Sequence, residues 1–413
     1  MGNTNTKPFG VKDKIGYMCG DIANDFTFIF ASSYVMVFYT KVMGVSAGMV
    51  GTMFLLARCL DAFTDIGMGR IVALASFMMY QSFLVDAPYA AKVAYMFITY
   101  ILWGSIFYTS VNIPYGSMAS VISSEPKDRS SLSVFRSLGG TLAGILIGML
   151  APMVVYYTDE AGNKVVSASR ISMIAGIFSV LAVICYLLCY TLTTERVEYV
   201  PKPDVQKKTF GQTVSALFSS RSLMGLILSA VLLLLASLMS QGINQYLFAD
   251  YFKNTAALSV YSLLMLPCVL ALSAVSTKLA VKFGKKECSY IGMFISAGLY
   301  FIIGVLHVKN VWLFVGLAFL AMIGMYFFQM QCWALVTDVI DDMEVKNHTR
   351  DDGTVYGMYS FARKIGQAIA GGLSGWALGW IGYDELAASQ TQEVANGIYN
   401  LSTFFPAIIY ALC

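Results

Sequence analysis

Charge is what this sequence has least of. Lys, Arg, Asp and Glu make up 12% of its 413 residues, about half the share of an ordinary soluble domain. Histidine occurs twice, too seldom to complete a zinc site without help. The eight cysteines fall in or beside apolar stretches with no paired metal-ligand spacing, so apolar filling is their expected role. A Walker A loop, an HExxH pair and a GxSxG elbow are all missing, which leaves ATP-driven pumping, zinc proteolysis and lipase chemistry without machinery. No enzyme activity and no cofactor are expected. The net charge is only +3 and no basic recognition motif occurs, which argues against nucleic acid as a partner. Met1–Lys14 is polar and basic with no short apolar core, so a removable signal peptide is not expected either.

Apolar length is what remains. Hydrophobic residues are 57% of the chain, and they come as blocks near Ile15–Thr40, Ser46–Val72, Ala73–Val85, Val93–Ser117, Leu132–Tyr156, Ile171–Leu192, Leu223–Ala249, Leu258–Val281, Cys288–Leu306, Val311–Ile340, Tyr356–Trp380 and Gly397–Cys413. A bilayer-crossing helix needs roughly 17–25 such residues. The expected fold is therefore an all-α polytopic membrane protein of twelve helices in two six-helix bundles, 1–192 and 223–413, joined by a polar linker over 193–222. The third block is short and follows the second without a polar turn, and the last stops at Cys413. Residues missing after Val72 and after Cys413 are the expectation at both places.

Lysine and arginine set the orientation. With the N-terminus inside, eighteen fall in cytoplasmic segments and six outside, so both termini are expected in the cytoplasm of a bacterial inner membrane. Internal symmetry points the same way. Gly140, Gly144 and Gly148 on the fifth block match Gly371, Gly375 and Gly379 on the eleventh, and small residues every fourth position let helix backbones meet. Duplicated six-helix units are common among secondary transporters.

The second block carries Arg58, Asp61 and Asp65 at i, i+3, i+7, on one helix face. Charges at membrane depth need ions, water or each other, so this face is expected to look into a polar cavity. One reading pairs Arg58 with Asp61 to hold the first two helices together, which still leaves Asp65 over. The other gathers Asp25, Asp61, Asp65, Thr109 and Asn112 as hard oxygen ligands for a sodium ion or a proton. Amides, hydroxyls and rings on other blocks suit a sugar: Tyr108, Gln329, Trp333, Tyr359 and Ser360. Arg136, Asp338, Asp341 and Arg350 lie at equivalent cytoplasmic ends of the two halves and are candidates for an inner gate, with Arg136 to Asp338 or Asp341 as the leading pair.

Three stretches carry a family resemblance: Gly16-Tyr-Met-Cys-Gly-Asp21-Ile-Ala-Asn24-Asp25, Asp61-Ala-Phe-Thr-Asp65-Ile-Gly-Met-Gly69-Arg70, and Tyr100-Ile-Leu-Trp-Gly104 leading to Asn112-Ile-Pro114-Tyr. They resemble the glycoside–pentoside–hexuronide:cation symporters, the melibiose-permease-like branch of the major facilitator superfamily. The resemblance runs from about Gly10 to Tyr383 and implies that Asp61 and Asp65 hold the cation with Thr109. It implies sugar-binding roles for Asp25 and Arg136 and places Lys364 near the binding region; Arg58, on the same face as Asp61 and Asp65, is a further substrate-binding candidate. It departs at Asn112, where that branch has a third acidic ligand, at Gly116, which replaces a sugar-stacking tryptophan, and in lacking the basic loop before the third helix. The implied protein is a monomeric symporter embedded in lipid, with a sugar and a co-transported Na+ or H+ as partners. A carrier of lysolipid, drug or peptide, and a sugar sensor that moves nothing, are the alternatives.

Overall fold

A computed structural model describes residues 8–61, 72–108, 125–160, 163–196, 220–347, 352–387 and 389–413, with 111, 115, 118, 119 and 121–123. Thirteen helices are assigned among them. They are α1 (Val11–Val37), α2 (Ala47–Asp61), α3 (Val72–Met79), α4 (Tyr89–Ile101), α5 (Pro126–Val155) and α6 (Ala168–Leu192), followed by α7 (Arg221–Tyr246), α8 (Thr255–Leu263), α9 (Met265–Phe283), α10 (Lys285–Leu306), α11 (Val311–Asn347), α12 (Asp352–Trp380) and α13 (Gln392–Leu412). A two-stranded hairpin, β1 (Tyr156–Thr158) and β2 (Lys164–Val166), separates α5 from α6.

Seven helical segments among the described residues are long and apolar enough to cross a bilayer. This is a multi-pass membrane protein, with leucines, isoleucines and phenylalanines exposed along the helices where lipid takes the place of a core. The eighth block is split at Leu264 into α8 and α9. Pro267 lies four residues after Leu263 and has no N–H to offer its carbonyl. The third block is short, as expected: α3 has eight residues. The twelfth is not. Helix α13 starts at Gln392, five residues before the apolar block, and runs 21 residues. The Thr391 hydroxyl accepts the Val394 N–H at 3.3 Å to start it. A polar first turn hides such a start from any reading of hydrophobicity alone.

The duplication is visible in a local detail. Helices α1 and α7 both end in five-residue π-helical turns, Phe38–Val42 and Leu247–Tyr251. In the first turn the Met43 N–H donates to the Phe38 carbonyl and Val45 to Tyr39; in the second, Phe252 donates to Leu247 and Asn254 to Phe248. The offset is 209 residues for all four positions, so the opening helix of each half ends by the same hydrogen-bond pattern.

By contacts the chain forms two compact units. The first comprises Met1–Val45, Phe63–Tyr157 and Val166–Pro203, with α1 packed against α5 and α6. Gly139 meets the Met18 carbonyl, and a Cβ there would lie 2.6 Å from that oxygen. At the start of α1, the Asp13 carboxylate accepts from Gly10 N–H, Thr194 N–H and both terminal nitrogens of Arg196. The second unit holds Ser46–Ala62, Thr158–Val165 and Asp204–Cys413, so α2 groups with the later helices. The reason is steric: α2 lies along the glycine stripe of α12. A Cβ on Gly371 would sit 2.7 Å from Phe54 Cβ, and one on Gly51 would sit 2.5 Å from the Gly372 carbonyl. The Trp376 indole donates to the Thr52 hydroxyl at 3.2 Å, and the Glu385 carboxylate accepts the first amide of α2, Ala47 N–H, at 2.6 Å.

Candidate functional site

The first unit places a charged cluster among apolar helices. Asp21 and Asp25 are four residues apart on α1 and face Gly140 of α5, whose missing side chain makes the room. A Cβ there would lie 2.5 Å from Asp25 Oδ2 and 3.0 Å from Asp21 Oδ2. Arg136, one turn earlier on α5, donates from Nε to Asp21 Oδ1 at 3.0 Å. The pair is partly open, with 38% of the Arg136 side chain and 13% of Asp21 exposed. One guanidinium thus faces two carboxylates, and Asp25 accepts no hydrogen bond from the described residues. Beside it Asn24 is buried, its amide oxygen taking the Tyr186 hydroxyl at 2.7 Å from α6.

Two tyrosines complete the cluster. The Tyr115 ring lies 5.1 Å below the Arg136 guanidinium and stacks on Tyr17 at 4.7 Å. Its hydroxyl donates to the Tyr17 carbonyl at 2.6 Å. Tyr17, Tyr115 and Tyr186 carry no signal in the sequence that separates them from the other tyrosines, 25 in all. Asp21 does carry one, since its spacing from Asp25 puts both on one face.

The other expected site residues are placed as follows. Tyr108 closes the π-helical stretch after α4, half-buried, with Phe28 stacked at 5.3 Å and Trp103 at 5.7 Å. In the second unit Gln329 is exposed and Gln331 buried on α11, and Tyr359 is buried on α12 with the Arg363 guanidinium 5.8 Å over its ring. Lys364 follows, half-buried. Asp338 takes the Lys285 ammonium at 2.7 and 2.8 Å. Each expected gate residue that can be followed therefore has a partner from its own unit: Asp21 for Arg136, Lys285 for Asp338. Asp65, Thr109, Asn112 and Arg350 lie outside the described residues, as do the side chains of Arg58, Asp61, Trp333, Asp341 and Ser360. Asp61 itself is the last residue of α2.

A partly exposed cluster of opposite charges in a multi-pass membrane protein suits a polar solute. A family model described as MFS/sugar transport protein matches residues 16–413. The chain belongs to that family. Members of the MFS/sugar transport family are transporters, so this chain is not an enzyme, and the helical, multi-pass build of its described residues agrees with the fold of that family. It is 30% identical to the uncharacterized symporter YjmB of Bacillus subtilis, over 98% of this chain and 91% of the relative. It is 27% identical to a glucuronide carrier protein homolog of Escherichia coli, over 93% and 86%. The fold is also that of a solved bacterial homolog of the human lysosomal transporter Spinster, with TM-score 0.65 at 13% identity over 98% of this chain and 96% of that one.

Proposed function

We propose that this chain carries a sugar across the bacterial cytoplasmic membrane together with Na+ or H+, by alternating access, as a monomer with both termini in the cytoplasm. The observation that carries this reading is the Asp21–Arg136–Asp25 cluster, which sets donors and acceptors side by side in a half-open position. Vicinal hydroxyls of a sugar ask for that combination, giving protons to a carboxylate and taking them from a guanidinium. Glycosides, pentosides and hexuronides all offer it, and a glucuronide carrier homolog among the relatives fits the class.

Coupling falls to Asp61 and Asp65, with Thr109 and Asn112 as further oxygen ligands. A monovalent cation held between the two carboxylates offsets one of their two charges and lowers the cost of placing them in a low-dielectric environment. Asp61→Asn and Asp65→Asn should each reduce gradient-driven uptake by about two orders of magnitude, the scale on which a lost charged ligand acts, while sugar exchange persists. The deciding experiment is uptake into proteoliposomes under a sodium or a proton gradient, against a panel of glycosides, pentosides and uronides. Wild-type gradient-driven uptake by the double Asn variant removes the assignment.

A further inference from the structure

Tyr115 is the residue of the charged cluster with no role so far, and it is fixed from three sides. Its hydroxyl is tied to the Tyr17 carbonyl at 2.6 Å, and one ring face lies on Tyr17 with planes 22° apart. Its edge fills a notch at Gly20, where a Cβ would run into Tyr115 Cε2 and Cδ2 and come within 3.0 Å of the Cys189 sulfur. Tyr115 and Tyr17 are both buried, in an apolar cluster with Ile122, Leu132 and Cys189. A ring held this firmly has one thing left to offer, its contact with the guanidinium 5.1 Å away.

We propose that Tyr115 is a positioning residue for transport, a platform that sets the plane of the Arg136 guanidinium while Asp21 sets its rotation. Arg136 donates from Nε to Asp21, and 38% of its side chain is open. With the plane fixed from below and one edge fixed by Asp21, the remaining N–H groups point in a defined direction. A planar fork of that kind is selective for paired oxygens, and losing its alignment loses the selectivity. Gly20 belongs to the same device, because only a residue without Cβ leaves the ring where it is. Specificity of the cluster thus depends on an aromatic ring that acts through Arg136 rather than on the solute.

The proposal rests on the sugar-contacting role given to Arg136, and its test separates the two. Phenylglyoxal labelling of Arg136, followed by mass spectrometry of its peptide, reads the guanidinium without any substrate. Tyr115→Leu and Gly20→Ala should raise the labelling rate at least threefold. Tyr115→Phe, which keeps the ring, should stay within about twofold of the native protein. Uptake is then measured with p-nitrophenyl β-glucuronide and p-nitrophenyl β-glucoside, which differ in a carboxylate against a hydroxymethyl group. Tyr115→Leu should raise the KM of the transported probe about tenfold, the scale of a lost cation–π contact. The cation concentration for half-maximal uptake should move less than twofold, and Tyr115→Phe should recover KM to within about threefold. Unchanged labelling in Tyr115→Leu, or Tyr115→Phe as damaged as Tyr115→Leu, overturns the platform. If neither probe is transported by the native protein, the proposed function suffers and the labelling still decides the role of Tyr115.

Discussion

Arg136 and Arg196 show how differently one guanidinium can be used. Arg136 spends Nε on Asp21 and keeps a third of its side chain open. Arg196 is consumed: its terminal nitrogens reach both Asp13 oxygens at 3.0 Å and the carbonyls of Pro8, Ile122 and Thr194. Asp13 and Arg196 are 4% and 14% exposed, so removing one strands the other, at about 3–5 kcal/mol. Arg196→Ala should lower the thermal midpoint in detergent by several degrees and loosen the start of the linker from α1, with Arg196→Lys in between because it loses the fork. An unchanged midpoint would show that the pair is not a stabilising clamp. Asp21→Asn, by contrast, is expected to act on function. It leaves the geometry but weakens the hold on Nε, so the KM for sugar should rise while the midpoint moves little. Comparing both readouts in one preparation distinguishes a binding cluster from a structural one.

At the scale of helices, the close fit of α2 on α12 is made by the absence of side chains. Gly51, Gly371 and Gly375 meet backbone or Cβ atoms directly, whereas a Cβ on Gly48 would meet no heavy atom within 4 Å. Gly375→Leu must therefore drive the helices apart, and overpacking of this sort costs about 1–3 kcal/mol or more. Gly48→Ala should be silent. The contrast is read as thermal stability of the purified protein, and equal behaviour of the two variants would contradict the seam. At the end of the seam Glu385 caps α2, an anion on the positive end of a helix. Glu385→Ala should cost about 1 kcal/mol and Glu385→Gln less, since the amide oxygen still accepts the Ala47 N–H. The seam has a mechanical consequence. Asp61 ends α2, and Tyr359, Arg363 and Lys364 lie on the same α12 that α2 follows. If Asp61 carries the cation as proposed, a displacement of α2 is expected to reach those side chains through the glycine seam.

For the whole molecule, the distribution of lysine and arginine makes a claim about orientation that chemistry can check. Eighteen basic residues against six predict that reporters fused to either terminus stay in the cytoplasm. An alkaline phosphatase fusion at residue 413 should be inactive and a fluorescent-protein fusion bright; the reverse would invert the topology. Duplication is the other property at this scale. The matching π-helical turns after α1 and α7 come from unlike sequences, Phe-Tyr-Thr-Lys-Val and Leu-Phe-Ala-Asp-Tyr. What they share is the backbone path, so the repeat survives in hydrogen bonding where the side chains have diverged.

Much of this was legible along the chain. Membrane spans follow from composition over about 20 residues, a local property that needs no knowledge of neighbours. The glycine stripes on α5 and α12 and the Asp21–Asp25 spacing follow from helical periodicity alone. The family followed from short motifs, and the match over residues 16–413 agrees. The partners were not legible. Periodicity says which residues share a face but not which face another helix presents, so Asp21 as a partner of Arg136 at 3.0 Å came only from the structure. Nor does hydropathy rank one tyrosine above another, and Tyr115 became distinct only once Gly20 and Tyr17 had closed round it. The grouping of α2 with α12 was likewise a matter of shape, decided by backbones that touch only when two helices are brought together.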